Sequence, residues 1–231
     1  LISTSLSMPA GRLKVTQSAC HTEVVNSSTT KNSSLIEAPK SLAWVLVIGG
    51  IIGWLGAFAL TIERLHVAAD PNATLSCDIA SFISCKSVML SWQAKLFGFP
   101  NPLIGLGAFI APIVVGMAIF AGAKFARWFW VTFSVGISLG FIFVLWLADA
   151  AINDIGALCP YCMVAWFGMI PMFWATILFG AREGFIWVPT RTIRFFVSAY
   201  DWAWVYAVLT EVTMALIILV KFWPLWVKLF S

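Results

Sequence analysis

Five stretches of this chain each approach the ~20 consecutive apolar residues that carry an α-helix across a bilayer. They lie at about 42–62, 103–123, 128–148, 163–179 and 203–220. Inside hydrocarbon every backbone N–H and C=O has to bond within its own segment, so each stretch is committed to helix. The expected fold is an all-α polytopic membrane protein: a four-helix transmembrane bundle core over 41–180 plus a fifth transmembrane helix, with its short tail, over 203–231. Composition agrees, because only 10% of the residues are charged where a soluble domain carries about 25%. Gly49, Gly50, Gly53 and Gly56 line the first span and permit close helix approach. The net charge of +4 is scattered between spans, which leaves no massed basic face for nucleic acid.

Residues 1–40 are of different material. Ser and Thr dominate without apolar periodicity, so a disordered N-terminal tail is expected there. The tail lacks the apolar core of a signal peptide, and no cleavage is expected. Residues 181–202 alternate Arg191 and Arg194 with Phe185, Trp187 and Phe195, as an interfacial connection would. Basic residues near the spans set the orientation. Lys31, Lys40, Lys124, Arg127, Arg182, Arg191 and Arg194 fall on one side, against Arg64, Lys86, Lys95, Lys221 and Lys228 on the other. The N-terminus is therefore expected in the cytoplasm and the loops carrying Cys77, Cys85, Cys159 and Cys162 outside it, where disulfides persist. Cys20 falls on the cytoplasmic side and outside that set.

The four grouped thiols carry the chemistry. Cys159-Pro160-Tyr161-Cys162 opens the fourth span. Pro160 suits the first helical position, which makes Cys159 the cap and puts Cys162 at the third helical residue beside unpaired N–H donors. The dipole there favours thiolate, and Cys162 is expected to hold it more easily. Cys159, one turn outward, is placed to meet another protein sulfur. Beyond Cys85, the residues Val88, Met89, Trp92 and Leu96 make the stripe of an amphipathic half-helix, expected to lie over the bundle mouth as an extracytoplasmic lid. A relay follows. Partner thiols reduce a Cys77–Cys85 bridge, Cys85 exchanges with Cys159, and Cys162 passes electrons to a lipid-soluble oxidant; each exchange needs a thiolate in line with a disulfide sulfur.

Other readings compete. A zinc site would suit C-x-x-C beside two more cysteines, but no His lies within either pair, and no metal is expected. Purely structural disulfides remain a reading from a different class, a non-enzymatic membrane scaffold. His66, near Glu63, reads as an interfacial polar residue. Glu211, inside the fifth span, is costly there, and a bond across helices beside Thr210 and Thr213 is expected for it. Asp149 and Asp154 read as solvated residues of a short polar connection over 149–158.

Together these residues resemble the vitamin K epoxide reductase family. The resemblance rests on Cys77-Asp78, the seven residues to Cys85 with Ser84 before it, Phe97-Gly98, Asn101-Pro102-Leu103-Ile104-Gly105, and a late C-x-x-C opening a span. It covers roughly 42–180. Leu65-His66-Val67 is similar to the matching stretch of vertebrate members, and the plain loop is most similar to prokaryotic homologues, which drive disulfide formation. The resemblance implies a quinone-dependent thiol oxidase of a bacterial inner (plasma) membrane. Cys77 would exchange with a thioredoxin-like (DsbA-type) partner, Cys85 would link to Cys159, and Cys162 would react with quinone, either menaquinone or ubiquinone. Asn101 would hydrogen-bond one quinone carbonyl, with Met89 and Phe97 as lid positions over the ring. Trp166 stands where vertebrate members carry a Tyr that bonds the other carbonyl. Several bacterial homologues carry a fused thioredoxin-like domain after a fifth span. Here eleven residues follow that span, so the partner is expected to be a separate polypeptide. Vitamin K epoxide reduction is the alternative direction that the resemblance allows.

Overall fold

The computed structural model describes residues 35–72, 74–185 and 200–230. Cys20, most of the expected tail, and 186–199 of the expected interfacial connection lie outside the described residues. Residues 35–40 of the expected tail are not disordered: Leu35–Ile36 (β1) pairs antiparallel with Phe125–Ala126 (β2), and an α-helix begins at Lys40. Glu37 there meets Lys124 at 2.6 Å.

Among the described residues five helical segments are long and apolar enough to cross a membrane, and the chain is an integral, all-α membrane protein. The first is α1, Lys40–Ala69. A half-helix α2, Cys85–Leu90, and a 3₁₀ turn, Gln93–Lys95, follow in the loop. The second span is α3, Asn101–Ala108, with α4, Ile110–Phe120. The break at Phe109 has a covalent cause, since Pro112 has no N–H to offer the carbonyl of Ala108. Next come α5, Arg127–Asp149, α6, Pro160–Arg182, α7, Ala203–Lys221, and α8, Trp223–Phe230.

Burial along α1 states which solvent each face meets. Trp44, Ile48, Ile51, Leu55 and Phe58 are exposed and recur every three or four residues, so they form one stripe. Such a stripe belongs against lipid. The opposite stripe, Leu42, Leu46, Gly49, Gly53 and Gly56 among it, is buried. It packs most extensively on α6 and then on α4, while α5 and α7 also pack on α6. A Cβ added to Gly168 would stand 2.5 Å from the Gly49 carbonyl oxygen, and one added to Gly49 would stand 2.7 Å from that of Gly168. The backbones touch there, and the first-span glycines serve the close approach expected of them. Between α5 and α6, Phe141 stacks on Phe173 at 3.9 Å.

Two boundaries depart from the sequence reading. The first span does not stop at Ile62 but runs to Ala69, because no helix breaker intervenes before Pro71. The stretch 149–158 is not an irregular connection, although Asp149 and Asp154 are exposed as expected. The helix continues through a π-turn at Ala150–Ile155, which ends at Gly156 with φ 68°. Ala150, Ala151, Ile152, Ala157 and Leu158 are buried.

Candidate active site

The loop between α1 and the second span is built around its cysteines. Cys77 and Cys85 form a disulfide. Ser84 caps α2, its hydroxyl accepting from the Ser87 N–H at 3.2 Å, the ordinary use of Ser at a helix start. The Asp78 carboxylate ties the ring from within, accepting from the Ser84 hydroxyl at 2.8 Å and from the Lys86 N–H at 3.2 Å.

A short parallel bridge then fixes the loop against the second thiol pair. The Leu158 N–H donates to the Phe82 carbonyl at 2.8 Å, and the Ser84 N–H donates to the Leu158 carbonyl at 2.9 Å. Cys85 and Cys159 follow immediately on the two sides of this bridge. The Cys159 thiol consequently donates to Cys85 Sγ at 3.0 Å. Cys159 caps α6 with Pro160 at its start, as the local sequence predicts. Both cysteine sets thus lie at one end of the bundle. Cys77, Cys85 and Cys159 are buried in a small apolar cluster with Leu60, Val67 and Met89, separate from the main core.

Cys159, at the cap, has donors of its own that favour thiolate. The Cys162 thiol, hydrogen-bonded to Cys159, holds the Cys159 thiol below its ordinary value, with burial opposing and the Tyr161 and Cys162 N–H groups assisting. The sulfur so lowered is the one facing Cys85, because several donors converge on the helix cap.

Inside the bundle lies a cavity of about 160 Å³, on the order of the ~150 Å³ that holds one benzene ring in an engineered apolar site. Cys162, Asn101, Met89 and Trp166 all line it. Phe97 does not: it is exposed, and its ring packs 6.0 Å from Phe143, which does line the wall. The expected lid stripe is only half used, because α2 ends at Leu90. Val88 and Met89 reach the cavity, whereas Trp92 and Leu96 face outward.

The Asn101 amide is held by its Nδ2, which donates to the Gln93 carbonyl at 2.7 Å. Gln93 is itself buried, and its Nε2 reaches Asp154 at 3.4 Å. Asn101 Oδ1 is buried without a hydrogen-bond partner, an unsatisfied acceptor of the kind that marks a ligand's place. An unsatisfied acceptor in an apolar cavity fits a flat ring that brings a hydroxyl donor, as a quinol does, while the Asn101 amide has a second N–H with which to meet a carbonyl oxygen. Among the described residues no group of three His, Cys, Asp or Glu could hold a metal.

Two features escaped the sequence. Arg64 lines the cavity and donates from Nη1 to the Met89 carbonyl at 2.9 Å. Its signal was the unbroken helix past Ile62. The second is a polar tether across three elements. The buried Glu63 carboxylate accepts from the Ser76 hydroxyl, which lies 3.0 Å from the Tyr161 hydroxyl, while His66 approaches Glu63 at 3.7 Å. Ser76 adjoins Cys77 and Tyr161 lies within the C-x-x-C, so the tether holds both redox segments to α1. Replacing Ser76 by Ala strands a buried carboxylate oxygen, with an expected cost of about 1–3 kcal/mol. Thermal unfolding should register that loss. Reduction of the Cys77–Cys85 bridge by dithiothreitol should be several-fold faster in the variant, because Cys77 is freed from its anchor.

The family model described as "Vitamin K epoxide reductase family" matches residues 44–177. None of the curated proteins compared with the chain matches it.

Proposed function

The chain belongs to the vitamin K epoxide reductase family, a family of membrane oxidoreductases acting on disulfides with quinones, and from that premise we propose that it is a quinone-dependent thiol oxidase. In this reading it remakes the disulfide of a separate extracytoplasmic thioredoxin-like protein. The proposed orientation puts the N-terminus in the cytoplasm of a bacterium and all four site cysteines outside. The observation that carries the reading is the 3.0 Å approach of Cys159 Sγ to Cys85 Sγ of the Cys77–Cys85 bridge, with Cys162 in the cavity wall behind it.

The proposed sequence of exchanges balances. A partner thiolate attacks Cys77, and Cys85 leaves as thiolate; the partner's second thiol resolves the mixed disulfide and leaves Cys77 and Cys85 reduced. Cys85 then attacks Cys159 of an oxidised Cys159–Cys162 pair, releasing Cys162. Cys77 attacks Cys85 in turn and releases Cys159. A leaving thiol of low pKa departs faster, and Cys159 is the one held low. The resulting arrangement has Cys77 bonded to Cys85 and thiols on Cys159 and Cys162, so two electrons and two protons sit on the membrane pair. Quinone, when bound, accepts both pairs and is released as quinol while Cys159 and Cys162 close their disulfide. Asn101, Trp166 and Met89 would hold and cover the ring beside Cys162. Trp166 brings an indole N–H that can only donate, a partner for a carbonyl oxygen.

The energetics suit such a chain. A strongly oxidising partner disulfide, near about −120 mV for the bacterial periplasmic oxidant, needs an acceptor of comparable or higher potential, and each ~30 mV shifts the two-electron balance by ~1.4 kcal/mol. Purified protein with a reduced thioredoxin-like substrate should convert added menaquinone or ubiquinone to quinol, read from the quinone absorbance. A Cys85→Ala variant should trap the partner as a disulfide on Cys77, visible on a non-reducing gel. Absence of any adduct would leave only a scaffold with structural disulfides. Faster turnover of vitamin K epoxide than of quinone would reverse the proposed direction.

A further inference from the structure

Arg64 supplies the one charged side chain among the described residues that line the cavity. Its neighbour Glu63 is turned to Ser76 and His66, and among the described residues no carboxylate lies within ion-pair distance of Arg64. Its bond to the Met89 carbonyl uses one of five N–H donors. A half-buried guanidinium beside an apolar space, with no counter-charge, is costly at a membrane boundary. That cost falls when negative charge enters the space, and in a site shielded from water the attraction is strong.

We propose that Arg64 is a catalytic residue that stabilises negative charge on an oxygen of the quinone-class acceptor as electrons arrive from Cys162. The same arrangement makes the cavity a site for anionic hydroxyquinones. This rests on the cavity being the acceptor site. Balance is unchanged: Cys159 and Cys162 form their S–S bond and give up two electrons and two protons, the quinone becomes quinol, and Arg64 stays protonated throughout, as Arg does. Because Gln can still donate to the Met89 carbonyl, Arg64→Gln removes the charge while keeping the tether. Arg64→Lys keeps the charge.

The probes are 2-hydroxy-1,4-naphthoquinone, whose ionisation is visible by absorbance, and neutral 2-methyl-1,4-naphthoquinone. Wild-type protein should bind the hydroxyquinone anion about tenfold more tightly than R64Q, the order of one charge-assisted hydrogen bond. R64K should stay close to wild type, and all three proteins should bind the neutral quinone alike. In turnover, R64Q should lose roughly 10² in kcat, the scale of one oxyanion donor, with KM for the neutral quinone held. Equal affinity of wild type and R64Q for the anion overturns the role of Arg64, as does a parallel loss of the neutral quinone. A wild-type protein that binds neither probe overturns the assignment of the cavity itself, and the role of Arg64 with it.

Discussion

A Cys162→Ser protein should oxidise a single equivalent of its thioredoxin-like partner and then stop, however much quinone is present. Its Cys77–Cys85 bridge is intact and spendable once. Without Cys162 there is no second sulfur with which Cys159 can close a disulfide, so the electrons have nowhere further to go. Stopped-time quantitation of partner thiols reads the stoichiometry, and wild-type protein should cycle through many equivalents in the same assay. A second signature belongs to the same variant. With Cys159 Sγ 3.0 Å from Cys85 Sγ, exchange within the protein should leave a fraction carrying a Cys85–Cys159 bond, which digestion without reductant and mass spectrometry detect. Continued turnover would mean that the acceptor takes its electrons elsewhere.

The other large effect is structural. Gly168→Leu should unfold or severely destabilise the protein, at or above the ~1–3 kcal/mol usual for an overpacked core. Even the first carbon of the new side chain would lie 2.5 Å from the Gly49 oxygen and 2.9 Å from the Gly53 nitrogen, and backbone cannot rotate aside as a side chain does. Relief requires parting α1 from α6. Those two helices supply Ala57, Leu60 and Arg64 on one wall of the cavity and Cys162, Ala165 and Trp166 on another. Surviving protein should therefore bind quinone more weakly as well as melt earlier in detergent. Gly136→Ala serves as the control. A Cβ there meets nothing within 4 Å, and the melting temperature should hold or rise.

The bundle was legible because lipid leaves an apolar span no alternative to helix, and the cores of all five spans fell where hydropathy put them. Their ends were not, because hydropathy ends at the first charge whereas a helix ends at a breaker. His66 thus read as an interfacial residue, and Arg64 only as a charge setting the orientation, when both sit on the last turns of α1. The same blindness hid the π-turn after Asp149, where alanines bury against neighbours that only the folded chain supplies. The cap geometry of Cys159 and Cys162 could be read locally from Pro160. The lowering of the Cys159 thiol could not, because the donors around it are set by its contact with Cys162. Asn101, Met89 and Trp166 came through resemblance, and Arg64 needed the helix to be traced past its apolar stretch.

The bridge between Ile83 and Leu158 has a consequence for how such a protein meets its customers. It clamps the inner sulfur of the loop to the helix cap, so in the proposed relay the hand-over from Cys85 to Cys159 is a fixed joint rather than a collision. Any pivoting is left to the other end, where Ser76 is held through its hydroxyl and Asp78 ties the ring back to Ser84 and Lys86. A client that docks there can be exchanged for another without disturbing the joint. On the proposed function the outward half is thus free to diversify with the oxidant it would serve, while the inward half stays wired to the membrane.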